Sequence, residues 1–185
     1  MRVRALLPMC VILAILGAEY PMLAGENTPT ARKKAQLVLG DGDAVRVEYS
    51  PVSAGSRSPG QRLNPEVWSP GTGQATIFTT AANLAIADSK LPPGQYSLYL
   101  QPSGDGWILI INQQVGQAAS SYPEGWDIVH APMKKRELST PVSLLTFSLQ
   151  RQGLKGGTLK LSFGKTEVSV PFEEAPPEEG MPDSS

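Results

Sequence analysis

The chain has 185 residues, with 16 Lys and Arg against 17 Asp and Glu and a formal net charge of −1. This balance argues against nucleic acid as a partner, because phosphate neutralisation needs clustered basic side chains. The only cysteine, Cys10, lies in the N-terminal apolar run. The remainder therefore has no disulfide, thiolate metal site or cysteine nucleophile.

The N-terminus has the pattern of a secretory signal peptide. Arg2 and Arg4 precede an apolar run over residues 5–18, which Glu19 ends. The run is shorter than the ~20 residues that a transmembrane helix needs. We predict a signal peptide at 1–18, with cleavage after Ala18 or alternatively after Ala24. The mature protein is then exported, periplasmic or extracellular, and has no stable membrane span.

The rest of the chain is predicted to contain one domain with polar ends. Residues 19–34 are predicted to be a flexible linker, and residues 174–185, rich in acidic residues and proline, a disordered tail. Residues 35–173 show no repeat and no second composition block, so we predict a single domain. A chain of this size can fold on its hydrophobic core alone.

Apolar and polar residues alternate along much of this domain, which indicates half-buried strands. Val45, Val47 and Tyr49 share one face of such a segment. We predict about ten short strands with little or no helix, hence an all-β fold, an antiparallel β-sandwich or a jelly-roll-like arrangement. The predicted strands are 36–39, 43–50, 74–80, 83–87, 95–101, 106–112, 126–137, 142–149, 158–163 and 166–172.

Two hairpins are predicted within this pattern. The first, Leu91 to Asn112, has a return strand that is apolar on both faces, as expected near the centre of a packed sheet. We interpret it as scaffold, with Trp107 in the core. In the second, Gly164 and Lys165 are predicted to form a tight reversal between the last two strands.

His130 is the only histidine, and it shows no catalytic pattern. Asp127 is three residues away, so regular alternation predicts that it lies on the opposite face of the strand. One imidazole is too few for a metal centre, and no G-x-S-x-G motif presents a nucleophile. We therefore assign no catalytic residue, no metal ligand and no cofactor, and regard an enzyme as the less favoured reading.

Aromatic side chains are the remaining functional lead, since they combine apolar area with a polar tip. Tyr99 lies between Leu98 and Leu100, so regular alternation places its side chain on the opposite face of the strand from theirs. This pattern predicts that Tyr99 faces outward. Trp126 and Tyr122 are predicted to lie together at a loop mouth. The candidate ligand-binding residues are Trp68, Tyr99, Tyr122 and Trp126.

Five segments of the chain resemble, in order, the motifs of a family of exported bacterial proteins, the domain of unknown function numbered 2911 (DUF2911). These segments are EYSP at 48–51, VWSPGTGQAT at 67–76, LPPGQYSLYLQP at 91–102, GWILIIN at 106–112 and GKTEVSVPF at 164–172. Several polar positions differ: Ser69 stands where the family has Arg, and Gly73 and Gln74 where it has Asn and Glu. The resemblance implies the fold, but no activity.

These observations predict a non-enzymatic exported protein that binds a small molecule, a glycan or an envelope protein. A hydrolase acting on envelope or extracellular material is the alternative, and a purely structural envelope domain is the third. Exposed aromatic residues on a concave face favour binding. A convergent acid pair, or His130 beside a serine hydroxyl, favours the hydrolase.

Overall fold

The computed structural model describes residues 31–53, 61–62, 67–104 and 106–176. The predicted signal peptide, most of the predicted linker and most of the predicted tail lie outside these residues. The described part of the chain consists of strands, turns and loops without a helix. The predicted all-β class is therefore confirmed. Within the same ranges, no helix has the length and apolar character needed to cross a membrane.

Eleven strands are present in the described residues, and together they form one antiparallel sheet. They are β1 Lys33–Val38, β2 Ala44–Tyr49, β3 Gln61–Arg62, β4 Trp68–Ser69, β5 Thr76–Thr80, β6 Leu84–Ile86, β7 Ser89–Leu91, β8 Gly94–Ser103, β9 Gly106–Asn112, β10 Asp127–Gln152 and β11 Gly156–Glu174. The strand order is β1-β2-β5-β8-β9-β10-β11-β6-β7, while β4 pairs with β8 and β3 pairs with β4.

The prediction of separate strands near the C-terminus is wrong. Residues 127–137 and 142–149 belong to the single strand β10, and the two strands predicted on either side of Gly164 are the single strand β11. The reversal lies between Gln152 and Gly156, which are the last paired residues of a long β10–β11 hairpin.

Gly164 lies within β11. Its φ of 53° lies in the left-handed region. On β10, four residues between Glu137 and Val142 are opposed by Lys165 alone on β11, which is a large bulge. A glycine with positive φ fits a tight turn and a bulge equally well. The sequence pattern therefore could not distinguish them.

The sheet folds over one hydrophobic core. Side chains from β2, β5, β8 and β9 pack against side chains from β6, β10 and β11 in a single buried cluster. The Tyr49 and Phe147 rings meet edge to face, with centroids 5.1 Å apart. Beyond the end of β2, the Leu145 amide donates to the Val52 carbonyl over 2.9 Å. These contacts join the first strands of the sheet to the second half of β10.

The predicted hairpin between Leu91 and Asn112 is confirmed as β8 and β9. The return strand β9 is buried on both faces: Leu109 and Ile111 lie in the main core, and Ile110 lies in a second, smaller cluster. Trp107 is partly buried against the main core and meets Trp68 and Phe163 edge to face, with centroids 5.9 and 5.8 Å apart.

The second cluster lies on the opposite face of the sheet. It contains Val67, Tyr99 and Ile110, with Ile108 and Tyr122 packed at its margin. We call this side of β8, β9 and the start of β10 the outer face. Residues 113–126, here the cover loop, connect β9 to β10 and supply Tyr122 to this cluster. The candidate site lies where this loop meets β10.

Candidate functional site

A β-bulge at the start of β10 determines which side chains reach the outer face. Asp127 is paired with Asn112, and Val129 is paired with the adjacent residue Ile111. Ile128 is therefore an extra residue with no partner of its own on β9. Because the bulge adds one residue, Asp127 and His130 point to the same side of the sheet although they are three positions apart.

The prediction that Asp127 and His130 lie on opposite faces is thus wrong. The Oδ2 atom of Asp127 is 3.3 Å from Nε2 of His130. A signal for the bulge was present in the sequence, because Ile128 and Val129 are consecutive apolar residues. Regular alternation from Val129 would have placed the Asp127 carboxylate in the core, which is unfavourable without a partner.

The Asp127 carboxylate is the centre of a hydrogen-bonded cluster. Asn112 Nδ2 donates to its Oδ1 over 2.7 Å, and the Tyr122 hydroxyl donates to its Oδ2. Only 12% of the Asp127 side chain is exposed. A largely buried carboxylate needs several donors, and charge-assisted hydrogen bonds of this kind are stronger than neutral ones. Asp127 is consequently fixed in one orientation toward His130.

Polar side chains of the sheet also hold the cover loop in place. The Tyr99 hydroxyl donates to the Ser121 carbonyl over 2.9 Å, and Ser97 Oγ donates to the Gln114 carbonyl over 2.7 Å. Asn112 Nδ2 donates to the Pro123 carbonyl over 2.9 Å. These bonds pair three carbonyls of the loop with side-chain donors of the sheet.

Gln117 connects the loop to the same side chains. Its Nε2 donates to the Tyr99 hydroxyl over 2.7 Å and to Ser97 Oγ over 3.0 Å. Its backbone carbonyl accepts from the Ala75 amide, and the Ala119 amide donates to the Gly73 carbonyl. The cover loop is therefore bonded to the sheet beneath it and to the segment before β5.

The four predicted ligand-binding residues occupy different environments. Tyr99 is 0% exposed, so a ligand on the surface does not reach its ring. Tyr122 is partly buried and packs edge to face on Tyr99, with centroids 4.9 Å apart. Trp126 is 51% exposed, just before β10. The structure brings Tyr99 and Tyr122 together and places Trp126 at the end of the cover loop.

Trp68 lies apart from the other three residues. It packs against the main core beside Trp107, and its indole Nε1 is buried without a hydrogen-bond partner in the described residues. The sequence pattern predicts no role for Ser97, Asn112 or Gln117. Only Asn112 carried a signal, as the polar residue that ends a strand apolar on both faces.

Burial keeps the tyrosine hydroxyls of the cluster protonated. It raises the pKa of Tyr122, and the hydrogen bond to Asp127 and the charge of that carboxylate raise it further. Burial also raises the pKa of Tyr99, which the hydrogen bond from Gln117 partly offsets. Both hydroxyls are therefore donors at neutral pH, and each already donates to a protein acceptor.

His130 is the member of the cluster that is open to solvent, with 52% of its side chain exposed. The Tyr99, Tyr122 and Ser97 hydroxyls all have their protons engaged, so they are poorly placed to act as nucleophiles activated by His130. Across the described ranges, no three His, Asp or Glu side chains converge in a way that would hold a metal ion.

Fold and site together define an all-β domain whose outer face carries a polar cluster partly covered by a loop. The family model described as a protein of unknown function (DUF2911) matches residues 30–172, and the chain belongs to that family. The whole cluster, Ser97 to His130, lies within the matched region. No curated protein and no solved structure matches the chain.

Proposed function

We propose that this protein is an exported, non-enzymatic binding protein, and that its ligand binds at the rim of the outer face. The rim consists of Glu124, Trp126 and His130, where the cover loop meets β10. The observation that carries the proposal is the combination of an indole that is 51% exposed with an imidazole that is 52% exposed and lies 3.3 Å from a largely buried carboxylate.

Preorganisation supports this function. A site binds more tightly when its groups are already ordered before the ligand arrives. Asp127 orients His130, and Asn112 and Tyr122 orient Asp127. Trp126 is also tied down, since its carbonyl accepts from the Gln113 amide over 2.9 Å. Export is supported by the N-terminal pattern over residues 1–18.

The experiment is a binding screen of the mature protein against glycans, peptides and small molecules, followed by calorimetry on each ligand found. Trp126→Ala should weaken binding about tenfold or more, which corresponds to ~1.4 kcal/mol, while the thermal midpoint stays unchanged. Leu154→Ala is the matched control. Leu154 is 76% exposed at the β10–β11 turn, far along the chain from the rim. Equal binding by both variants would contradict the proposed site.

A hydrolase acting on envelope or extracellular material is a second candidate. The observation that favours it is the His130–Asp127 pair at 3.3 Å, since a carboxylate that orients a histidine is also part of hydrolytic triads. If the protein turns over chromogenic esters or glycosides and His130→Ala abolishes this activity, the result would support the hydrolase and contradict the binding proposal. A purely structural envelope role is the third candidate, and it is favoured if no ligand and no turnover are found.

A further inference from the structure

One face of the β10–β11 pair is polar and carries more positive than negative charge. The opposite face of these strands packs into the main core through Met133, Leu159, Leu161, Val168 and Val170. Because successive side chains of a strand point to opposite sides, the residues next to these point outward. We call this surface the basic face, and it consists of Lys134, Arg136, Lys160, Ser162, Glu167 and Ser169.

Glu167 is the acidic member of the basic face, and donors surround its carboxylate. Arg136 donates to Oε1 of Glu167 from Nε over 3.3 Å and from Nη2 over 2.7 Å. Lys160 Nζ lies 3.9 Å from the same oxygen, and Ser162 Oγ lies 3.4 Å from Oε2. The guanidinium of Arg136 and the ammonium of Lys160 therefore lie side by side and share one carboxylate.

Lys134 adds a third cation to this pair. It is paired with Ser169, as Arg136 is with Glu167, so Lys134 and Arg136 occupy successive outward positions of β10, about 7 Å apart. Lys134 is exposed and has no ion-pair partner in the part of the chain that the structure describes. The basic face thus has two positive charges in excess, whereas the formal net charge of the chain is −1.

The cations of the basic face keep donors that Glu167 does not use. A guanidinium has five N–H donors, and Arg136 uses two of them for Glu167. Its side chain is 64% exposed, and the Lys160 side chain is 24% exposed. The other N–H groups of Arg136 and the ammonium group of Lys134 can therefore bind further negative charge from solvent.

The serines of the basic face indicate which polyanion fits. Ser162 and Ser169 each carry a hydroxyl, which both donates and accepts hydrogen bonds, and each lies beside a cation in the strand pairing or by contact with Glu167. Acidic polysaccharides carry carboxylates and hydroxyls on every ring. A surface that combines cations with hydroxyls complements both kinds of group.

Other polyanions fit this surface less well. Attraction to anionic lipid amounts to about 1 kcal/mol per basic residue, and the basic face has no apolar side chain that would enter a bilayer. It also has no aromatic ring on which a nucleic-acid base could stack. An acidic peptide that adds a strand to a sheet needs an open edge, whereas these side chains lie on a face.

We propose that the basic face binds an acidic polysaccharide, whose carboxylates contact Lys134, Arg136 and Lys160 and whose hydroxyls contact the two serines. This is a second binding surface, on residues other than the rim residues Glu124, Trp126 and His130. The inference does not rest on the function proposed for the rim.

The first test is calorimetry of the mature protein with hexagalacturonate and with maltohexaose, a neutral hexasaccharide. We expect hexagalacturonate to bind and maltohexaose to bind at least about tenfold more weakly. Hexagalacturonate binding should weaken as salt is raised, because the Debye length falls from about 10 Å at 0.1 M to about 3 Å at 1 M. Equal binding of the two sugars would overturn the inference.

The second test uses variants with opposite expected effects. Lys134→Gln should weaken hexagalacturonate binding about two- to fivefold, the range for one exposed ion pair. Glu167→Gln removes the negative charge of the face and should tighten binding by a similar factor, a result that partial unfolding cannot produce. Lys33→Gln is the matched control, because Lys33 is exposed on β1, the first strand in the sheet order, and the change in net charge is the same. Equal weakening by Lys134→Gln and Lys33→Gln would contradict the assigned surface.

The remaining outcomes separate the partner classes and the two sites. Tighter binding of hexaglutamate than of hexagalacturonate, or cosedimentation with phosphatidylglycerol vesicles that exceeds sugar binding, would contradict a polysaccharide partner. If Trp126→Ala weakens hexagalacturonate binding and Lys134→Gln does not, the sugar is a ligand of the rim, so this inference fails and the proposed function stands. If Lys134→Gln weakens hexagalacturonate binding and no ligand depends on Trp126, the inference stands and the function proposed for the rim fails.

Discussion

The hydroxyl of Tyr99 provides the most direct test of how the cover loop is held. Tyr99→Phe removes one oxygen from a residue that is 0% exposed and leaves the ring packing unchanged. The Ser121 carbonyl then loses its donor. Gln117 Nε2 loses an acceptor but keeps Ser97 Oγ at 3.0 Å and the Gln114 carbonyl at 3.2 Å. The variant therefore loses two hydrogen bonds, one with Gln117 and one with the carbonyl of Ser121, an exposed residue.

A hydrogen bond within a protein contributes about 0.5–1.5 kcal/mol net to stability. Because two are lost and Gln117 keeps its other acceptors, we expect the free energy of unfolding to fall by about 1–2 kcal/mol. The measurement is equilibrium unfolding in urea, in which the midpoint should fall while the m-value stays constant.

Tyr96→Phe is the matched control for this measurement. Tyr96 is on the same strand, and its hydroxyl donates to the carbonyl of Pro92 over 2.8 Å. In the described residues the Tyr96 hydroxyl makes this one hydrogen bond, whereas the Tyr99 hydroxyl makes two. We expect a loss of about 0.5–1 kcal/mol for the control, about half of the loss in Tyr99→Phe. Equal losses in the two variants would show that the hydrogen bond from Tyr99 does not hold the cover loop.

Three further predictions concern the core, the response to alkaline pH and export. Trp107→Ala should lower the free energy of unfolding by about 3 kcal/mol, the lower end of the range for buried aromatic residues because Trp107 is partly exposed, and should leave ligand binding intact. Denaturant unfolding and calorimetry check this, and an unchanged midpoint with lost binding would make the β8–β9 hairpin a ligand platform. The pKa of Tyr122 is raised above its ordinary value of about 10. Above that pH the unfolded chain loses a proton that the folded chain keeps, so the free energy of unfolding should fall as pH rises, less steeply in Tyr122→Phe. Urea unfolding at about pH 8 and about pH 10.5 measures the difference, and equal slopes in the two proteins would contradict it. The mature chain should begin at Glu19 or Gly25, and N-terminal sequencing that finds Met1 on the protein would contradict export.

The elements that the sequence predicted well are those whose pattern reflects burial directly. β2, β5, β8 and β9 alternate cleanly or are apolar on both faces, because each packs against the main core. The prediction that β9 is covered on both sides is confirmed, and the cover of its second face is the loop over residues 113–126 together with Val67. Burial on two faces is readable from composition alone.

The elements that were mispredicted depend on bulges, which place unpaired residues in one of two paired strands. The extra residue Ile128 changes which side of the sheet Asp127 occupies, since a shift of one residue reverses the direction of every side chain. Gly164 lies beside a second bulge, within a strand that the pattern appeared to end. Such bulges depend on how two strands pair. The alternation within one strand indicates a bulge only where the alternation is interrupted, as at Ile128 and Val129.

The candidate site was accessible to sequence reasoning only in part. Trp126 was identified from its aromatic character and its position in the chain. The environment of Tyr99 was mispredicted, because its exposure depends on a loop with no periodic pattern. The contact between Asp127 and His130 requires the bulge, and the role of Gln117 requires the folded cover loop. No periodic pattern in the sequence links these residues, and their contacts form only in the folded protein.

The three tryptophans of the chain allow the central claim to be tested in one spectrum. Each indole N–H gives a separate signal in a ¹H–¹⁵N correlation spectrum, and the measurement is a titration of the mature protein with a ligand found in the binding screen. We predict that the indole signal of Trp126 moves and saturates, while those of Trp68 and Trp107 stay in place. Saturating shifts at Trp68 or Trp107, with the Trp126 signal unmoved, would contradict the assignment of the ligand site to the rim of the outer face.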